Sequence, residues 1–221
     1  MEIVLFDLDH TIIDGDTDFL WGKFLVENNV VDKNYYESKN EYFFQEYQAG
    51  SLDPLEFARF SYKPLADNDY NRLLELREAF FTNKIRNIFY KDAVEIIRDN
   101  QRKNNIVCIV TSTNSFISQP AADFLEIPHL LASNPEFVDG AFTGNIDGIA
   151  CFNSGKVDKV NEWMDNLSLN NVENISFYTD SHNDLPLLEF VPTPIVVNPD
   201  HKLDLISKEK RWKKLTFKEL L

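Results

Sequence analysis

Four short stretches of this 221-residue chain carry side chains that together could move a phosphoryl group. Asp7-Leu8-Asp9-His10-Thr11 sets two carboxylates two residues apart, with a hydroxyl two residues further on. Thr111 opens the polar run Thr111-Ser112-Thr113-Asn114, Lys156 stands alone at the head of an amphipathic stretch, and Asp180-Ser181-His182-Asn183-Asp184 supplies two more carboxylates. One carboxylate can act as nucleophile and another as acid and base. The transferring group brings negative oxygens that must be neutralised. A hard cation held by a few carboxylates with retained waters does this, and Lys156 adds a second positive charge.

Paired carboxylates can also chelate calcium, and that reading fails on register. A calcium loop beginning at Asp7 puts Ile12 where glycine is required, and one beginning at Asp14 puts Phe19 there and Leu25 where the closing glutamate belongs. The four histidines are scattered, with only His182 inside a polar cluster, which argues against zinc. Cys108 lies in an apolar run and Cys151 stands alone, so neither a disulfide nor a thiolate metal site is expected, and a reducing cytoplasm is favoured.

The elements that must hold these groups are readable from periodicity. Glu2 to Phe6, Asn105 to Val110, Asn174 to Tyr178 and Pro194 to Val197 are short apolar runs that each end in polar residues, as buried parallel strands do. Between them, Asp92 to Gln101 and Lys156 to Leu167 repeat apolar residues at helical spacing. Such alternation implies an α/β fold, a doubly wound, mostly parallel sheet whose ligands bind beyond the carboxyl ends of the strands, where each polar cluster falls. From about Phe19 to Phe89 the alternation stops. Long helical patterns rich in Phe and Tyr, such as Tyr35 to Tyr47 and Asn68 to Phe81, replace it and predict a helical cap inserted after the first strand. The expected division is a core of residues 1–18 and 90–221 and a cap of 19–89, whose aromatics are expected mainly as core. Glu136 to Ala150, with Asp139-Gly140 and Thr143-Gly144, predicts a hairpin.

With four clusters in this order and strand context, the chain resembles the haloacid dehalogenase-like superfamily, more narrowly its phosphoserine-phosphatase-like branch, over nearly its whole length. The resemblance implies a Rossmann-like core, magnesium as cofactor and a small phosphorylated metabolite as substrate. Asp7 would attack phosphorus and become an aspartyl phosphate, and Asp9 would protonate the leaving alcohol and then activate water. Magnesium would be held by Asp7, by Asp180 and by the backbone carbonyl of Asp9. Thr111, Ser112 and Lys156 would bind the phosphoryl oxygens, while Asp184 would act through a water or by orienting Lys156, and Thr11 would brace the first loop. Asp at position 9 separates this pattern from the family's carbon–halogen hydrolases and ion pumps, leaving phosphatase or phosphomutase. Thr111-Ser112-Thr113-Asn114 departs from the Ser-Gly-Gly run of phosphoserine phosphatase itself.

Other residues admit two readings. Asp14, Asp16 and Asp18 form an acidic cluster at the cap entrance that could read a substrate amine or serve as a polar hinge, and Arg59 could reach the substrate from the cap or lie on its surface. Phosphoserine-like and histidinol-phosphate-like esters are the first candidates, with a phosphotransferase or mutase of the same family as the nearer rival. A signalling receiver domain uses a similar acidic kit, but it places its acceptor on a central strand rather than the first, and has no room for a cap of about seventy residues. The net charge of −14 argues against nucleic-acid and anionic-membrane partners, which need clustered Lys and Arg. No apolar run approaches the roughly 18 residues of a membrane span, and the N-terminal segment lacks the positive start of a secretory signal.

Overall fold

The computed structural model describes residues 1–169 and 171–221. The sheet is built outward from β1 (Ile3–Phe6), whose residues are all buried. Successive side chains of a strand point to opposite faces, and both faces of this one meet apolar surface. Val4 and Phe6 join one core cluster, and Ile3 and Leu5 join the other. Among the described residues the remaining strands are β2 (Ile106–Asn114), β3 (His129–Val138), β4 (Ala141–Asp147), β5 (Ile175–Thr179), β6 (Thr193–Val197) and β7 (Lys213–Leu215). Their order is β4-β3-β2-β1-β5-β6-β7, parallel except for the antiparallel β3–β4 pair.

The strand that comes first in sequence is therefore central in space, so strand position does not separate this fold from a receiver domain; the helical insertion does. That insertion comprises α1 (Thr17–Glu27), α2 (Lys33–Ala49), α3 (Pro54–Ser61), α4 (Lys63–Ala66), α5 (Tyr70–Phe80) and a π-helical turn (Phe81–Ile85). Aspartate side chains cap four of these starts, Asp16, Asp32, Asp53 and Asp69 each accepting a backbone N–H from the first turn. Its interior is aromatic, with Trp21 edge-on to Phe80 at 5.1 Å and Phe43 against Phe60 at 5.0 Å. Both ends of the insertion are stitched to each other, Asp14 N–H donating to Ile88 O at 2.7 Å and Tyr90 N–H to Ile12 O at 2.9 Å.

The other helices alternate with strands: α6 (Lys91–Arg102), α7 (Ser115–Phe124), α8 (Ser154–Asn166), α9 (Leu185–Phe190) and α10 (His201–Lys210). Ala93 and Ile97 of α6 and Ile117 and Ala121 of α7 pack on the Val4 and Phe6 face, while Val160 and Met164 of α8, Leu187 and Leu188 of α9 and Leu203 of α10 cover the other.

Two elements differ from the sequence reading. β2 runs four residues beyond Val110, because the β-branched Thr111 and Thr113 stay extended and the ladder resumes at Asn114 opposite Ser133 after an irregularity. The hairpin at Asp139-Gly140 is not a free excursion: its first strand, β3, begins at His129 beside Cys108 and belongs to the core sheet before it turns back.

Candidate active site

Asp7 lies one residue past β1, and its N–H donates to Tyr178 O at 2.9 Å, extending the ladder with β5. It keeps the parity of Ile3 and Leu5, the face covered by α8. From α8, Lys156 reaches in and is fully enclosed, its Nζ 2.8 Å from Asp7 Oδ1. The ammonium also sits astride Asp184, 2.7 Å from Oδ1 and 2.8 Å from Oδ2, with its hydrogen bond aimed at Oδ2. Thr179 Oγ1 donates to the same Oδ2 at 2.7 Å. Burial alone would pull the Lys156 ammonium down, but Asp184 and Asp7 outweigh it and hold the group charged. A glycine makes this reach feasible: a Cβ on Gly155 would stand 2.0 Å from the Ala150 carbonyl oxygen, so only glycine lets the first turn of α8 come this close to the preceding loop.

Asp9, partly exposed, is clamped by residues the sequence reading did not single out. Thr17 donates to Oδ1 through both its N–H, at 2.7 Å, and its hydroxyl, and Thr113 Oγ1 donates to Oδ2 at 2.8 Å. Thr11 Oγ1 donates to Asp180 Oδ1 at 3.2 Å. Ser112 and Thr113 line the cavity above Asp7, while Thr111 is fully buried beneath them and its hydroxyl accepts the Thr113 N–H at 3.2 Å. Asn114 caps α7 by accepting the Ile117 N–H.

The acidic floor has a surplus of negative charge. Burial pushes the Asp7 carboxyl up to about 8 despite Lys156, with Asp184 and Asp9 adding to the rise. Asp180 is driven well above the usual carboxylate range by desolvation, then by Asp7 and Asp184. Asp7, Asp180 and Asp184 face one ammonium between them, and a hard divalent cation on Asp7 and Asp180 would relieve the excess. Among the described residues no three His, Cys, Asp or Glu side chains converge as an all-protein metal cage. Magnesium is commonly held with fewer, one or two carboxylates sufficing when waters and phosphate complete the shell, so the donor set fits it.

The helices between β1 and β2 roof this floor and are tied to it. Tyr47, near the end of α2, donates its hydroxyl to Ser181 Oγ at 3.3 Å, and Asn183 Nδ2 donates to the Tyr47 carbonyl at 3.0 Å. Burial pushes the Tyr47 phenol well up, and Asp7, Asp184 and Asp180 add to the effect, so it stays a neutral donor. Lys202 Nζ donates to Ala49 O at 2.6 Å beside His182, whose ring pairs with Asp200 at 2.8 Å. Gly50 ends α2 in the left-handed conformation, φ 79°, where a Cβ would press on His182.

Of the acidic cluster at the cap entrance, Asp16 and Asp18 line the cavity, whereas Asp14 is exposed and accepts from the Tyr90 hydroxyl at 2.8 Å. Arg59 is exposed on α3 and does not line the cavity. Among the described residues no helix is long and apolar enough to cross a membrane.

This constellation is a buried carboxylate at the end of the central strand, a buried lysine paired with it and a helical roof. The family model of haloacid dehalogenase-like hydrolases matches residues 4–189, and the chain belongs to that family. Within it, the chain is a phosphatase, an enzyme hydrolysing phosphoric monoesters. It is 34% identical over 219 residues to a histidinol-phosphatase of Neisseria meningitidis serogroup C, covering 98% of this chain and 99% of that protein. It is 25% identical over 213 residues to a phosphoserine phosphatase of Mycobacterium tuberculosis, covering 94% of this chain and 68% of that one. A crystal structure of a Bordetella pertussis protein of unknown function superposes with a TM-score of 0.91 at 34% identity over 97% of both chains. A phospho-aspartyl intermediate analogue of phosphoserine phosphatase superposes with a TM-score of 0.68 at 18% identity, over 99% of this chain and 94% of the other, a likeness of fold.

Proposed function

We propose that the protein is a magnesium-dependent phosphomonoesterase acting on a small, amine-bearing metabolite through an aspartyl-phosphate intermediate. The observation that carries this reading is the pairing of Asp7 and Asp9 at one cavity floor, with Lys156 bridging Asp7 to Asp184. Asp7 attacks phosphorus as the ester P–O bond breaks, and the leaving oxygen takes a proton from Asp9. Asp9 then accepts a proton from the water that attacks the phosphorus of the aspartyl phosphate, releasing inorganic phosphate and restoring Asp7. Lys156 fixes the Asp7 carboxylate and offsets charge on the transferring group, and Ser112 with the residues around it receives the phosphoryl oxygens beside the start of α7. Thr17 and Thr113 hold Asp9 in line. Asp7, Asp180 and the backbone carbonyl of Asp9 would hold magnesium, which when bound neutralises phosphoryl oxygens and orients the ester. The helical insertion, residues 19–89, acts as a cap whose opening admits substrate and whose closure shields the phosphorylated aspartate from bulk water.

The 34% identical relative is named for histidinol phosphate, and phosphoserine is the alternative offered by the more distant one. Phosphate release from a panel of phosphomonoesters, with magnesium and with chelator, tests the reading, with Asp7→Asn as the blank. Turnover that requires magnesium and vanishes in Asp7→Asn is expected. Absence of turnover on every ester, or delivery of phosphate to a second alcohol in preference to water, would refute a hydrolase.

A further inference from the structure

The cavity continues from Asp7 upward between α1, α2 and α3, and its upper wall is built from Phe43, Phe44, Phe57 and Tyr62. Phe43 and Tyr62 are themselves buried, and Phe43 is braced edge-on by Phe57 at 5.4 Å, so these rings form a preset wall. Among the described residues, the acidic side chains lining the cavity are all aspartates, no Lys or Arg lines it, and His10 is the one basic ring. Lys156 answers Asp7 from below, and a divalent cation on Asp7 and Asp180 would answer the rest; higher up, Asp16 has only the His10 ring and Asp18 only the neutral side chains of Thr113 and Asn114. Asp16 is committed through Oδ1 to capping α1. Asp18 takes hydrogen bonds only from neutral donors, Thr113 and, at a long 3.4 Å, Asn114 Nδ2; burial lifts its carboxyl well above the usual range, and it lines the same cavity as the Phe43, Phe57 and Tyr62 rings, where an arriving cation would stabilise its charged form.

Building on the phosphatase reading above, we propose that this compartment receives a phosphomonoester tail that carries protonated nitrogen and a flat unsaturated ring but no carboxylate. Asp18 is its counter-charge, and the Phe43, Phe57 and Tyr62 rings are its walls. Aromatic faces attract a cation and stack on a flat ring, and the acidic neighbour adds a directed ion pair in a partly dry recess. A tail bearing its own carboxylate meets Asp16 and Asp18, with no Lys or Arg among the described lining residues to receive it. The compartment thus selects between the two kinds of ester suggested by the relatives, taking an imidazole-bearing amino alcohol phosphate and rejecting phosphoserine.

The test compares L-histidinol phosphate with L-phosphoserine on the wild-type enzyme and on Asp18→Asn, and measures binding of unphosphorylated L-histidinol by calorimetry. The wild type is expected to favour histidinol phosphate by at least about a hundredfold in kcat/KM. Asp18→Asn should lower that ratio by at least about tenfold, chiefly through KM, and weaken L-histidinol binding by a similar factor. Equal use of the two esters, or a ratio unchanged in Asp18→Asn, overturns the assignment while leaving the phosphatase intact. If no ester turns over, the phosphatase reading falls, and L-histidinol binding still decides the compartment: no saturable binding, or binding indifferent to Asp18, overturns it. Should Asp18→Asn fail to fold, Phe57→Leu takes its place, with an increase in KM confined to the ring-bearing ester expected and an equal effect on both esters overturning the assignment.

Discussion

Gly155→Ala adds one methyl group to a residue outside the cavity, yet it is expected to cost most of the activity. The new Cβ would lie 2.0 Å from the Ala150 carbonyl oxygen, and real Cβ contacts essentially never fall below 3.0 Å, so α8 and the loop before it must separate by about 1 Å or more. Lys156 is the next residue, and its ammonium holds Asp7 at 2.8 Å and Asp184 at 2.7 Å. A shift of that size moves both contacts past hydrogen-bonding distance, or drags the nucleophile out of line. Misplacement by 1 Å commonly costs on the order of a hundredfold in rate. Overpacking at a backbone contact costs about 1–3 kcal/mol, which for a domain this size lowers Tm by roughly 2–12 °C. Steady-state kinetics on the best ester, beside thermal unfolding followed by circular dichroism, reads both effects. A variant with kcat within threefold of wild type would refute the reasoning, because it would show that the loop yields freely and that the approach of α8 does not set the lysine.

Three further outcomes follow from the geometry. Burial, then repulsion from Asp9, lifts the Asp16 carboxyl to about 6 from its usual 3.8, so the folded state binds more protons than the unfolded one between these values. Stability of the metal-free protein should therefore fall as pH rises from about 4 to 6, by up to about 3 kcal/mol. Asp16→Asn keeps the cap on α1 and should flatten that slope in denaturant titrations; an unchanged slope would show that Asp16 is not its source. Thr113→Val removes the hydroxyl that donates to Asp9 Oδ2 and should lower kcat by about 10- to 100-fold with KM nearly constant, whereas a change in KM alone would place Thr113 in substrate binding. Asn183→Ala releases the Tyr47 carbonyl and should increase hydrogen exchange across the last turn of α2, with kcat/KM down by about threefold to tenfold; protection equal to wild type would mean that the cap is seated by other contacts.

How far the sequence carries depends on how local each signal is. Strand ends and the residues on them are local, so Asp7, Thr111 and Asp180 can be placed at one edge of a sheet from apolar runs that stop at polar residues, and Lys156 at the head of a helical pattern. The insertion was visible because helical spacing replaces alternation, and its helix starts are marked by Asp16, Asp32, Asp53 and Asp69. Thr17 and Tyr47 carry no such mark. Each reaches the floor only after the insertion folds back, and their partners lie 8 and 134 residues away. Thr17 was nonetheless discoverable, as a hydroxyl directly after a capping aspartate close to Asp9. The core half of β3 is not legible in the sequence, because the Asp139-Gly140 turn marks only the antiparallel pair, while the parallel ladder with β2 leaves no turn signal. Gly155 looked ordinary because the carbonyl that excludes a side chain there comes from a loop whose path the sequence does not state.

The stitching of Asp14 to Ile88 and of Tyr90 to Ile12 means that the chain leaves the core and returns to it at one doorway. Everything between is, in connectivity, a detachable attachment: cutting it out and joining the doorposts with a tight turn would leave every strand of the sheet in its present order. Thr17, which clamps Asp9, lies inside that doorway, so an insertion grafted there would keep the floor's geometry only if it returned a hydroxyl to Asp9. A catalytic floor and an interchangeable roof can change at different rates over evolutionary time, and an engineer can use the same seam.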